Sequence, residues 1–70
     1  MQLKELGRIC REFRKEQGIS VKEIASKCSY TPWNIYKFEQ GKIDNASILL
    51  VYMFFGLELD RRTICHVLTN

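Results

Sequence analysis

Two helix starts and two glycine stops fall inside the stretch from Gly18 to Lys42, and this punctuation constrains the fold more than any other feature of the chain. Ser20-Val21-Lys22-Glu23 has the form of a capping box. In such a box the Ser20 oxygen takes an orphan N–H of the first turn and Glu23 reaches back to the cap. Thr31 is a good N-cap for a second helix, and Pro32 stands at its first position, where no N–H partner is needed. Gly41 ends that helix. Short helices are therefore expected over about Val21 to Cys28 and Pro32 to Gln40, with Ser29-Tyr30 as the turn between them. Ile24, Ala25, Cys28, Tyr30, Ile35 and Phe38 are expected on the inner side of the pair, with Ala25 small where the two helices approach closely.

The helical pattern continues on both sides. A first helix is expected from about Leu3 to Gln17, where Leu6, Ile9, Cys10 and Phe13 follow the i, i+3, i+4, i+7 rule. Gly7 weakens this helix but permits close packing, and Gly18 suits the position just past its end. After Lys42-Ile43-Asp44, with Asp44 or Asn45 as cap, a fourth helix is expected from about Ala46 to Phe55. Its inward face is Ile48, Leu49, Val51, Tyr52 and Phe55, and Gly56 closes it. A last helical segment, about Asp60 to Leu68, carries Ile64, Val67 and Leu68 on one side. No strand-like alternation is sustained, so the expectation is one all-α domain of five helices.

Composition narrows the function classes. A chain of 70 residues buries a limited core and leaves no room for a deep catalytic pocket beside its scaffold. The net charge of +3 permits nucleic-acid binding without demanding it. The distribution is more telling, because Arg8, Arg11, Arg14, Lys15, Lys22, Lys27, Lys37 and Lys42 all lie in the first two thirds. Cys10, Cys28 and Cys65 are widely separated and His66 is the one histidine, so no zinc site or other cofactor is expected. An odd number of cysteines fits free thiols in a reducing compartment. No signal peptide is visible, and the apolar run from Ala46 to Leu57 is too short for a bilayer. A soluble, cytoplasmic protein is expected. Enzymatic activity is not expected, since no cysteine has a base beside it in sequence and no phosphate loop or acid pair stands out.

Two short helices joined by a tight turn, the second ending in glycine, have the layout of a helix-turn-helix, whose second helix normally enters the DNA major groove. The residues Arg14-Lys15-Glu16-Gln17-Gly18-Ile19-Ser20, Ala25, Ile35, Glu39-x-Gly41-Lys42 and Gly56-Leu57 carry the pattern further. Together they resemble the Cro/CI-type helix-turn-helix family of phage repressors and bacterial regulators, also called the Xre family, over about Leu6 to Leu59. The resemblance implies a compact lambda-repressor-like bundle. It implies that Arg14 and Glu39 form a structural ion pair holding helix 1 onto helix 3, the alternative being two unrelated surface charges. It implies base reading from the first turns of helix 3, at Pro32, Trp33, Asn34, Tyr36 and Lys37. There Asn34 would pair with an adenine edge and Lys37 would donate to guanine. Trp33 would meet a thymine methyl or the sugar backbone, and Tyr36 a phosphate. Thr31, the amides at both helix N-termini and Lys42 would grip phosphate. The alternatives are packing of Trp33 and Tyr36 on the edge of helix 2, and ordinary solvated charges at Lys37 and Lys42.

Three positions depart from the family pattern. Val21 stands where a phosphate-binding glutamine is usual, Ser29 stands where the turn usually has glycine, and the loop after Gly41 is shorter, with Asp44 in it. The fourth helix is also apolar on its outer stripe, at Leu50, Met53 and Phe54, with Leu57 just beyond. A helix apolar all round is normally buried all round, so these four residues are expected to form a homodimer interface, in part covered by the C-terminal segment. The expected function is a sequence-specific, double-stranded DNA-binding transcriptional regulator, a Cro/CI-like repressor of phage or mobile-element type, dimeric on palindromic operators. The alternative is a protein-interaction module on the same scaffold, an antirepressor or inhibitor of a host protein. Pro32, Trp33 and Tyr36 would suit it as a hot spot.

Overall fold

A computed structural model describes residues 3–59, which form four helices and, among the described residues, no strand. The order is α1 (Leu3–Glu16), α2 (Val21–Cys28), α3 (Pro32–Glu39) and α4 (Ala46–Phe54). The ends of α1, α3 and α4 each fall one residue short of the sequence expectation. The fifth helix, expected at about Asp60 to Leu68, lies outside the described residues, as do Cys65 and His66.

The caps explain where the helices begin. The Ser20 hydroxyl accepts from the Glu23 amide at 3.1 Å, while the Ser20 amide donates to the Glu23 carboxylate at 3.5 Å. Thr31 Oγ1 accepts from the Asn34 amide at 3.4 Å. Asn45, rather than Asp44, caps α4, its side chain accepting from the Ile48 amide at 3.1 Å. Ser29 ends α2 in the left-handed conformation, at φ 61°. A residue with a Cβ adopts that conformation less readily than glycine.

α2 packs on α3 and α4, and α1 packs on α3 and, less extensively, on α4. The core they enclose contains Leu6 and Cys10 of α1, Ile24 and Ala25 of α2, Ile35 and Phe38 of α3, and Ile48, Leu49 and Tyr52 of α4. Ile9, Phe13, Cys28, Val51 and Phe55 are half-buried around it. Two residues sit otherwise than their apolar character suggested. Tyr30 is exposed, because the left-handed Ser29 takes the chain off the α2 face before Tyr30 is reached. Leu57 is in the core, only 8% exposed, and so is not part of an outer apolar stripe. The positive φ of Gly56 folds the chain back on α4, and the Leu57 amide donates to the Tyr52 carbonyl at 3.1 Å.

The crossing of α1 over α3 has no spare room. A Cβ on Gly7 would lie 2.3 Å from the Glu39 carbonyl oxygen and 2.7 Å from that of Phe38. Both obstacles are backbone, so neither can swing aside. Alanine improves an isolated helix over glycine by about 1 kcal/mol. Overpacking of this kind costs about 1–3 kcal/mol, and the overlap should win. Gly7→Ala is expected to lower the urea unfolding midpoint, and an unchanged or raised midpoint would show that α1 does not cross α3 so closely.

Candidate nucleic-acid interface

The position of α3 is set by one buried carboxylate. Arg14 donates from Nε to Glu39 Oε2 at 2.8 Å and from a terminal nitrogen to Oε1 at 3.2 Å, a two-pronged contact. Its other terminal nitrogen donates to the Ile19 carbonyl at 3.2 Å. The Tyr52 hydroxyl of α4 donates to the same Glu39 Oε2. Glu39 is 5% exposed, and no buried side-chain nitrogen or oxygen among the described residues lacks a partner. The hydrogen bond to Glu39 raises the Arg14 guanidinium further above its ordinary value. Burial, and after it the bond to Glu39, raise the Tyr52 hydroxyl well above the usual phenol range. Burial, and after it the nearby Glu39 charge, push the Cys10 thiol up to about 12. Both hydroxyl and thiol thus stay protonated and the carboxylate is held between two donors.

With Ile35, Phe38 and Glu39 turned inward, α3 presents its other side to solvent. Trp33 is 67% exposed and Tyr36 47%. Lys37 lies with its ammonium 5.6 Å from the Trp33 ring centroid, a cation–π contact that restrains both side chains. Asn34 is half-buried, and its side-chain amide donates to Thr31 Oγ1 at 3.2 Å. One N–H and the carbonyl oxygen of that amide stay available, as does the Thr31 hydroxyl proton. Lys42 is exposed just past the end of α3, its amide donating to the Lys37 carbonyl at 2.9 Å. Thr31, Trp33, Asn34, Tyr36 and Lys37 therefore belong to one continuous surface at and along α3. Val21 is buried at the start of α2 and offers nothing polar there.

On the outer side of α4, Leu50 and Phe54 are exposed, whereas Met53 is half-buried against the core. With Leu57 inside, the apolar patch is smaller than four residues. It continues instead across a shallow groove to Val51 and the stem of Lys27 on α2. Cys10 and Cys28 are free thiols, and among the described residues no group of three or more His, Cys, Asp or Glu gathers to hold a metal ion. No described helix is long and apolar enough to cross a membrane.

Compared with protein-family models, with curated proteins and with solved structures, the chain matches none of them. The role of Tyr52 in the buried cluster was not foreseen in the sequence. A tyrosine on an inward helix face needs a partner for its hydroxyl, and Tyr52 stands on the inward face expected for the fourth helix, so part of the signal was present.

Removing one member of a buried ion pair typically costs about 3–5 kcal/mol, because the survivor is left charged and unpartnered. Arg14→Met is expected to destabilise by that amount in urea unfolding. The double variant Arg14→Met/Glu39→Leu should recover part of the loss, because it removes both charges but leaves the buried Tyr52 hydroxyl without its acceptor. A double variant as unstable as the sum of the single ones would mean that the two side chains do not act as a pair.

Proposed function

We propose that the chain is a sequence-specific DNA-binding transcriptional regulator, with α2 and α3 as a helix-turn-helix of Cro/CI type and α3 as the element that enters the major groove. The observation that carries this reading is the division of α3 into two sides. One side is locked to α1 and α4 through Ile35, Phe38 and the buried Glu39. The other offers Trp33, Asn34, Tyr36 and Lys37 to a partner, with Thr31 and Lys42 at its ends for phosphate. A rigidly mounted helix with polar and aromatic side chains along its outer face suits reading of base edges. The reading is one of binding, without catalysis or a cofactor, and it places the protein in the cytoplasm. A Cro/CI-like repressor of phage or mobile-element type is the form we favour.

The same reading includes a homodimer on palindromic half-sites, joined through the outer side of α4 at Leu50, Phe54 and the exposed part of Met53. Two-fold symmetry in protein and operator then match. Phe54→Glu places a charge in that patch without touching the core. It is expected to lower the sedimentation mass from dimer to monomer while leaving helix content unchanged. A wild-type chain that already sediments as a monomer at micromolar concentration would remove this interface.

One observation favours a second reading. Tyr30, Trp33 and Tyr36 are all exposed at successive spacings of three residues. Exposed aromatic side chains on α3 and just before it also suit a protein hot spot, as an antirepressor or host-factor inhibitor would use.

Selection from a random duplex DNA pool at physiological salt separates the two readings. Enrichment of a palindrome is expected, and Lys37→Ala should relax the preference at one base position. Equal weakening on every sequence would place Lys37 on phosphate instead. No enrichment from a well-folded sample would overturn the DNA reading.

A further inference from the structure

A concavity lies beside the outer face of α3 rather than on it. A groove of about 1000 Å³ runs between α1 and α3. Tyr36 and Gln40 of α3 form one wall, and the mutually paired Arg14 and Glu39 lie at its base. The other wall is α1, which contributes Lys4, Arg8, Arg11 and Lys15 against Glu5 as its one acidic residue. These four cations recur at helical spacing on one side of α1, and at 1.5 Å per residue they extend over about 16 Å. All four residues are exposed. Arg8 is engaged at 3.1 Å by Glu12, but both side chains are more than half exposed, at 58% and 60%, and such a pair yields easily to another anion. Among the described residues neither Arg11 nor Lys15 has an ion-pair partner.

We propose that this groove is a phosphate-binding track, in which Lys4, Arg8, Arg11 and Lys15 follow one strand of the duplex whose major groove α3 enters. The inference rests on the DNA reading above and assigns to it a surface that α3 alone does not supply. Two observations commit the groove to a DNA strand. Its α1 wall carries a run of cations, a charge complementary to a polyanion. It is also continuous with the α3 surface, because Tyr36 belongs to both. A helix inserted in a major groove has a phosphate strand on each side, so a cationic wall flanking α3 lies where one strand must pass. The track carries no base information, since contacts to phosphate fix orientation and affinity rather than sequence.

The test is the salt dependence of binding to the duplex enriched by selection, and to an unrelated duplex of the same length, for the whole chain and for Arg11→Gln/Lys15→Gln. Both substitutions are on exposed positions, and circular dichroism verifies that the helices persist. Each phosphate contact contributes about 0.9 to the slope of log K against log salt. The double variant is therefore expected to show a slope shallower by about 1.8, with affinity reduced alike on both duplexes. Lys27→Gln, which removes a cation beside Leu50 and Phe54 on the far side of α2, should leave the slope as it is. A double variant with wild-type slope and affinity would overturn the track while leaving the DNA reading standing. A loss confined to the enriched sequence would overturn it as well, because it would make the track a base reader. Wild-type protein that binds neither duplex would remove the DNA reading and the track with it, and binding of an acidic peptide abolished by the same substitutions would reassign the groove.

Discussion

A single carboxylate organises this small bundle. Glu39 is the last residue of α3, and it accepts from Arg14 of α1 and from Tyr52 of α4. Three helices thereby meet at one charge. Such a cluster is a weak source of net stability, since desolvating two ions offsets much of their attraction. Its value lies in geometry: two-pronged guanidinium contact and a third donor leave Glu39 one orientation, and α3 follows. The backbone enforces the same register from the other side. Gly7 brings α1 against the Glu39 carbonyl with no space for a methyl group. Side-chain charge and backbone contact therefore fix the same residue, which lies one turn beyond Tyr36 on the helix with the exposed face.

That arrangement separates the buried core from the exposed face of α3. The apolar core runs through Leu6, Cys10, Ile24, Ile35, Ile48 and Leu49, all almost wholly buried. None of Trp33, Tyr36 or Lys37 belongs to it. The Lys37 ammonium lies over the Trp33 ring, and Tyr36 stands in the wall of the groove beside α1. The surface of α3 can thus vary without disturbing the bundle, which is the condition under which a fold can host one specificity after another.

Much of this was legible in the chain. Ser20, Thr31 and Pro32 mark their helix starts through local hydrogen-bond chemistry, and local signals survive translation into structure. The pairing of Arg14 with Glu39 was legible only through a family resemblance, because no local rule links residues so far apart. Leu57 and Tyr30 went the other way. Their places depend on the backbone conformation of the residue before them, Gly56 and Ser29, and hydrophobic periodicity does not extend through such turns. The cationic wall of α1 was legible as a set of charges, but its apposition to Tyr36 and Gln40 was not. That apposition arises from how α1 crosses α3, and the crossing is fixed by Gly7 and Glu39 rather than by any of the cations.

Val21 connects these threads within the proposed function. A helix-turn-helix commonly anchors to phosphate at the start of its first helix, with a polar side chain there. Here that position is apolar and buried, 7% exposed, and so contributes to the core instead. The backbone amides at the start of α2 remain, but a helix N-terminus alone is a modest anion site. Under the proposed DNA reading, a chain with no polar side chain at that position must draw orientation from elsewhere. The row of cations on α1 adjoins α3 and extends over about 16 Å, and so suits that role. Within that proposal the apolar Val21 and the cations of α1 belong together, because the first position of α2 offers no polar side chain to phosphate and the helix before it offers four cations.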